Sequence, residues 1–403
     1  HNLSAVVTPK VRDGVAELTV YKGFAIAFDA TILDLSPLSE LRTRYPQAQL
    51  VDGQEMVALP GFVDPHTHPV FYRTREEEFE MRAAGKTYEE IAAAGGGIRN
   101  SVRAFRQAST DELLELTYCR IARFLEYGTT TIEAKSGYGL SVEDEIRSLR
   151  ILKKVADLLP ITIVPTFLGA HEVPDEYRDR REAYIELIVK EMIPRVAEER
   201  LAVFCDVFCE EGVFSVAESE RILLAAKDHG LIPKLHADEL HYTGGAELAA
   251  RLKAVSADHL LEVSEAGIQA MKEADVVPVL LPGTAYFLGK QKYAPARKML
   301  EAGLPVALAT DFNPGSSMTQ NMQQILNLAC IYMGMSCREV LIAATLNSAR
   351  AIGQAHRVGS LEPGKQADII LLDVPTYKYI PYHHGANHVK RVYRHGRLVY
   401  QAP

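Results

Sequence analysis

The sequence predicts an α/β chain whose centre is a closed (β/α)8 barrel of the TIM type, with a small β-sheet domain built from both termini. Three observations carry this. From Thr129 onward, apolar strand, polar turn and amphipathic helix repeat along the chain. With Gly61–Val63 as the first, eight such strands are present; buried strands joined by helical crossovers form a parallel sheet, and eight of them close it. Both ends of the chain are instead β-rich. Residues 1–58 and 351–403 are therefore assigned to the composite sheet domain and 59–350 to the barrel.

In chain order, Gly14–Val20 and Gly23–Phe28 read as strands, and a short helix is expected near Ser36–Tyr45. Gly61–Val63 opens the barrel and runs into Asp64-Pro65-His66-Thr67-His68. The charged stretch Arg73–Arg82, with Tyr88-Glu89-Glu90-Ile91 after it, reads as solvated helix or loop covering the barrel mouth. Gly95-Gly96-Gly97 is followed by no Gly-Lys-Ser/Thr, so it reads as a turn and not a phosphate loop. Ser109-Thr110-Asp111-Glu112 is a capping box, and Leu114, Tyr118, Ile121 and Leu125 form an apolar stripe that stops near Gly128. The later strands are Thr129–Ala134, Ile161–Leu168, Leu201–Phe208, Leu231–Leu235, Ala254–Ala257, Val276–Leu281 and Val306–Ala309. Helices between them include Glu143–Leu158, Tyr184–Glu198, Ala217–His229, Gly244–Leu252 and Ala294–Gly303. After helices at Asn321–Met333 and Ser336–Ala344 the pattern returns to strand at Ala367–Leu372 and to a hairpin over Val389–Tyr400, turning at His395-Gly396.

Composition narrows the function. Charged residues make up 24% of the chain and apolar ones 47%, the balance of a soluble globular protein. A formal charge of -8 argues against nucleic acid and against an anionic membrane surface, so any bound anion must meet a local basic residue. Five scattered cysteines make no disulfide framework. With no membrane-length apolar run and no signal-peptide pattern, a reducing cytoplasm is the expected home.

Active sites of such barrels lie at the C-terminal ends of the strands. Histidines fall at that end of four strands: His66 and His68, His171, His236, and His259 after Asp258. An aspartate, Asp311, ends the last strand, ahead of Asn313-Pro314-Gly315-Ser316. On an extended backbone residues i and i+2 point the same way, so His66 and His68 can reach one cation together. His66, His68, His236 and Asp311 then form a ligand set with a position open for water, the mark of a catalytic metal site. Three imidazoles and a carboxylate suit zinc or iron(II). A cation so held turns water into hydroxide near neutral pH. Asp311 or Glu239 can accept its proton, and His259 can orient the hydroxide or stabilise an oxyanion. No lysine ends the fourth strand, so one metal ion is expected and not a bridged pair.

These residues resemble the amidohydrolase superfamily of metal-dependent barrels. Within it, Phe79-Glu80-Met81-Arg82, Gly85–Ile91, Lys135-Ser136-Gly137-Tyr138-Gly139-Leu140, Gly169-Ala170-His171, Leu235–Glu239 and Thr310–Ser316 resemble the imidazolonepropionase family. The resemblance implies hydrolysis of the lactam C–N bond of 4-imidazolone-5-propanoate to N-formimidoyl-L-glutamate, in histidine degradation. It implies metal ligands at His66, His68, His236 and Asp311 and a catalytic histidine at His259. Substrate contacts are implied at Arg75, Tyr138, His171, Glu239, Asn313, Gly315 and Ser316, and a homodimer is implied too. Arg75 suits the substrate's carboxylate arm, since its planar fork binds carboxylates in pairs of bonds. Tyr138 and His171 are read as hydrogen-bond donors, and Glu239 as able to pass a proton to the leaving nitrogen. Pro65, Pro69 and Tyr72-Arg73 depart from the family pattern, and Arg73 stands close enough in sequence to compete with Arg75. Two other readings stand beside it: within the same superfamily, a deaminase of amino-heterocycles, against which Arg75 speaks; and, from another class, a non-catalytic scaffold, which typically loses metal ligands this chain retains.

Overall fold

The computed structural model describes residues 1–86, 90 and 96–403. Thr87, Tyr88, Glu89, Ile91 and Gly95 of the stretches above lie outside them. The chain opens with β1 (Ala5–Arg12), β2 (Val15–Tyr21), β3 (Phe24–Phe28) and β4 (Ile32–Pro37), then a short helix at Leu38–Arg44. β5 (Val57–Pro60) leads across Gly61 into β6 (Phe62–Asp64). β7 (Thr129–Lys135), β8 (Thr162–Ala170), β9 (Phe204–Cys209), β10 (Ile232–Ala237), β11 (Ser256–His259), β12 (Val277–Leu280) and β13 (Ala307–Leu308) follow, separated by helices. β14 (Ile369–Leu372), β15 (Val389–Arg394) and β16 (Arg397–Gln401) end the chain.

β6 to β13 make one eight-stranded parallel sheet in sequential order, as predicted. The two outermost strands meet just beyond their named ends: Thr67 bridges Phe312, His68 N–H donates to the Phe312 carbonyl at 2.9 Å, and Asp311 N–H donates to the His66 carbonyl at 3.1 Å. The barrel therefore closes at the segments that carry the predicted ligands. Strands from both termini form a second, mixed sheet in the order β16-β15-β14-β5-β1-β2, with β3 and β4 as a separate pair. Val6, Ile32, Ala58, Ile369 and Leu371 form their shared core. Gly61, between the two sheets, has no room for a side chain: a Cβ there would sit 2.2 Å from Thr130 Oγ1.

Two details differ from the sequence reading. In the helix Thr110–Glu126 the buried stripe is Leu113, Thr117, Ile121, Phe124 and Leu125, while Tyr118 is 39% exposed. A threonine, not the tyrosine, faces the core, because Thr117 lies four residues from both Leu113 and Ile121 on one helical face and Tyr118 is turned about 100° off it. The charged cover is a helix, Glu76–Ala83, but it is not solvated all round: Glu78 is buried and faces inward with Arg75.

Candidate active site

Each barrel strand turns alternate residues into the interior. At the C-terminal end this brings His66, His68, His236, His259 and Asp311 together, all of them buried. His66 Nε2 lies 3.1 Å from His68 Nε2, and Asp311 Oδ1 lies 3.5 and 3.6 Å from those two nitrogens. The His236 ring is centred 4.5 Å from that of His66 and 5.2 Å from that of His259. Two overlapping triads have ligand atoms within 4.8 Å of one another: His66, His68 and Asp311, and His66, His236 and His259.

Carboxylates beneath the site set the imidazole tautomers. His66 Nδ1–H donates to Asp258 Oδ2 at 2.7 Å, so its Nε2 presents a lone pair to the centre. Asp206 Oδ2 stands 3.0 Å from His236 Nδ1, an ion-pair distance without hydrogen-bond alignment, and Asp206 Oδ1 accepts the His236 backbone N–H. Burial, reinforced by neighbouring positive groups, holds His66, His68 and His259 well below the ordinary histidine range, so they are neutral bases. For His236 burial pulls down, but the Asp206 carboxylate outweighs it and the net shift is upward. His68 Nδ1 and both ring nitrogens of His259 are buried without hydrogen-bond partners among the described residues. Converging lone pairs, unpaired buried nitrogens and one carboxylate fit a divalent cation such as zinc or iron(II).

Below the histidines lies a layer of charge that sequence reasoning did not place. Lys135 Nζ is 2.7 Å from Glu133 Oε1 and from Asp206 Oδ2, and 3.8 Å from Asp258 Oδ2. Lys234 Nζ is 3.5 Å from Asp258 Oδ2. All five side chains are fully buried. The signal was present: Glu133/Lys135 and Lys234/His236 sit at i and i+2 in apolar strands, which places them on one face, the barrel interior. Thr284, also missed, donates its hydroxyl to Asp311 Oδ2 and fixes that carboxylate.

The expected substrate residues ring this centre. His171 stacks on His68 with ring centroids 5.3 Å apart, and Tyr138 meets His171 edge-on at 5.4 Å. His171 Nδ1–H donates to the Gly137 carbonyl at 2.8 Å, and burial pushes the imidazole down to about 4. Its exposed edge is therefore an Nε2 acceptor, where the sequence reading expects a donor. Tyr138 remains a phenol, held up by burial. Glu239 Oε1 is 3.5 Å from His259 Nδ1; burial, then the nearby Asp311, push Glu239 up to about 8. Burial also raises Asp311, to about 6.

Asn313 and Ser316 are turned on their own loop. Asn313 Oδ1 accepts N–H bonds from Gly315 and Ser316, each at 2.8 Å, and its Nδ2 donates to the Asp311 carbonyl and to Ser316 Oγ. Gly315 lies under Arg75, so close that a Cβ would come 2.1 Å from Nη1. Arg75 itself pairs with Glu78. Arg73 is exposed over the Tyr72 ring and does not approach Arg75's partners. Among the described residues, no helix is long and apolar enough to cross a membrane.

The amidohydrolase family model matches residues 57–399. An imidazolonepropionase of Geobacillus kaustophilus (strain HTA426) is 48% identical over 396 residues, 97% of this chain and 93% of that one. An imidazolonepropionase of Symbiobacterium thermophilum is 50% identical over 396 residues, with the same two coverages. Among solved structures, guanine deaminase of E. coli superposes with a TM-score of 0.77 at 16% identity, covering 100% of this chain and 99% of the other. An adenosine deaminase from Xanthomonas campestris with bound zinc gives 0.74 at 21% identity, covering 98% and 91%. At those identities the solved structures share the fold.

Proposed function

The chain belongs to the imidazolonepropionases of the amidohydrolase family, and from that premise we infer how its site works. It is a hydrolase of cyclic-amide C–N bonds and opens the lactam of 4-imidazolone-5-propanoate to N-formimidoyl-L-glutamate, in histidine degradation. The observation that carries the mechanism is the convergence of His66, His68 and Asp311, with His236 beside them, on one buried point.

In our reading His66, His68, His236 and Asp311 hold the ion. When bound, a divalent ion supplies Lewis-acid activation of water and polarises the lactam carbonyl. Overall, water gives its oxygen to the carbonyl carbon, the C–N bond breaks, and the ring nitrogen takes up a proton. Of the two candidate carboxylates we assign to Glu239 both the uptake of water's proton and its delivery to the leaving nitrogen. Asp311 has one oxygen on the Thr284 hydroxyl and the other toward His66 and His68, whereas Glu239 stands outside that cluster with Oε1 3.5 Å from His259 Nδ1. His259, with both nitrogens unpaired, is placed to stabilise the oxyanion as the carbonyl carbon becomes tetrahedral. His171 Nε2 accepts a ring N–H, and Tyr138 donates to the ring or its arm. Arg75 receives the propanoate carboxylate. Asn313, Gly315 and Ser316 act chiefly by shaping the loop against Arg75, with backbone groups toward the substrate. A cytoplasmic homodimer, divided into 1–58 with 351–403 and 59–350, is part of the same reading.

The test is turnover of 4-imidazolone-5-propanoate by metal-loaded protein, with elemental analysis for zinc and iron. His68→Ala should abolish stoichiometric metal and activity together. Arg75→Ala should raise KM about tenfold or more, about 1.4 kcal/mol, at unchanged metal content. Metal-replete protein that leaves intact substrate untouched would sink the reading. The deaminase alternative has only fold-level likeness behind it, at 16% and 21% identity.

A further inference from the structure

We propose that Arg82 is a second guanidinium of the pocket that receives the substrate's carboxylate, and that with Arg75 it selects for that charge. This rests on the imidazolonepropionate reading above. Arg75, Glu78 and Arg82 are three and four residues apart, so the helix Glu76–Ala83 turns them to one side. Both arginines converge on Gly315. Arg82 Nη2 donates to the Gly315 carbonyl at 3.0 Å, and the Arg75 guanidinium lies against its Cα.

Among the described residues, charge at this place is unbalanced. Glu78, itself buried, pairs with Arg75 and also accepts the Gly97 N–H at 3.1 Å. Two guanidiniums and one carboxylate leave a surplus of one positive charge, the complement of one carboxylate. The Nε–H groups of both arginines are buried and lack hydrogen-bond partners among the described residues. Buried donors of this kind are costly unless a ligand meets them. The Arg82 guanidinium also lies 5.5 Å from the centre of the Phe287 ring, and Phe287 in turn contacts Phe79 at 5.1 Å. An arginine braced in this way has less freedom to lose on binding. A Cβ on Gly315 would fall on the Arg75 guanidinium, so a larger residue there would push Arg75 aside.

The test compares KM and kcat of metal-loaded wild type, Arg82→Met and Arg82→Lys on two substrates. One is 4-imidazolone-5-propanoate, the other its uncharged propanamide analogue. We expect Arg82→Met to raise KM for the acid about tenfold with kcat and metal content unchanged, to leave KM for the amide unmoved, and Arg82→Lys to recover part of the loss. Equal rises for acid and amide would reduce Arg82 to a structural brace and overturn the proposal, as would no rise for either. Wild type that takes acid and amide with equal KM would instead sink the carboxylate-armed reading of the whole site. A wild-type preference for the acid that survives intact in Arg82→Met would sink the role of Arg82 alone.

Discussion

Lys135 shows how one residue shapes the site without touching its chemistry. Its ammonium is fully buried between Glu133 and Asp206, at 2.7 Å from each. Burial disfavours that charge, but Asp206, Glu133 and Asp258 more than restore it and hold the lysine above its ordinary range. Asp206 and Asp258 are the carboxylates set against Nδ1 of His236 and of His66. Lys135 thus reaches both aspartates that face the histidines, and shares Asp258 with Lys234. Lys135→Met keeps the volume and removes the charge, leaving buried carboxylates uncompensated, a defect of about 3–5 kcal/mol. Urea unfolding of the chelated protein should show that loss at neutral pH. An unchanged midpoint would mean that the carboxylates are neutralised without the lysine, and the strut would have no energetic role. Arg75 and Gly315 make the same point for the substrate side: a side chain's reach is set by what the neighbouring residue lacks.

At the scale of elements, the helices around the barrel begin in a repeated way. Ser109/Glu112, Ser215/Glu218 and Ser336/Glu339 are reciprocal capping boxes. Glu339 also takes a two-point bond from Arg297, at 2.8 and 3.0 Å. The Arg297 hydrogen bonds, against burial and with help from Ser336, push Glu339 down to about 2 from an ordinary 4.5. A carboxylate lowered on folding stabilises the fold above its unfolded value and loses that contribution as pH falls toward its folded one. Glu339→Gln should therefore cost about 1 kcal/mol at pH 7, with the gap closing between pH 4.5 and 2. A gap that is the same at pH 3 and pH 7 in thermal unfolding would exclude the charge as its cause. The Ser109 capping box and the apolar strands were legible because each is a local pattern; the boxes at Ser215 and Ser336 carry the same pattern and were not read. Thus β7 was expected at Thr129–Ala134 and found at Thr129–Lys135. β1 and β4 were not read: Pro9 and Lys10 interrupt the first, and the second is short and ends at Pro37. Their strand state comes from pairing: β1 with β2 across the two-residue Asp13-Gly14 turn and with the distant β5, and β4 with β3 in a second hairpin. The two hairpins are local and the Asp-Gly turn was a usable signal; only the β1–β5 pairing lies beyond any local window. The histidines were legible at strand ends, but the ammonium linking Asp206 to Asp258 depends on three alternate strands, β7, β9 and β11, facing one another across the barrel interior.

For the whole molecule, the seam of the barrel and the proposed metal centre occupy the same place. β6 and β13 are the first and last barrel strands, far apart in sequence, and β13 is only Ala307–Leu308. Besides the bridge at Thr67 and Phe312, Asp64 accepts the Thr310 N–H at 3.1 Å and its hydroxyl at 2.6 Å. His66 and His68 stand on one side of this seam and Asp311 on the other, with carboxylate and imidazole atoms 3.5 and 3.6 Å apart. An ion held by all three ties the ends of the sheet together as well as serving the reaction. Ligand binding to the folded state alone adds about 2.7 kcal/mol at a free concentration a hundredfold above Kd. Chelation should therefore lower the unfolding midpoint, and hydrogen exchange should quicken first at the backbone amides of His68 and Asp311, which bond across the seam. The amides of β8 and β9, on the far wall, should change least. His68→Ala should already exchange fast at the seam and gain nothing from added metal. If chelation loosened β8 and β9 as much as the seam, the ion would stabilise the barrel only as a whole. If it loosened neither, the ion would be no staple, and Asp64 with Thr310 would suffice to close the barrel.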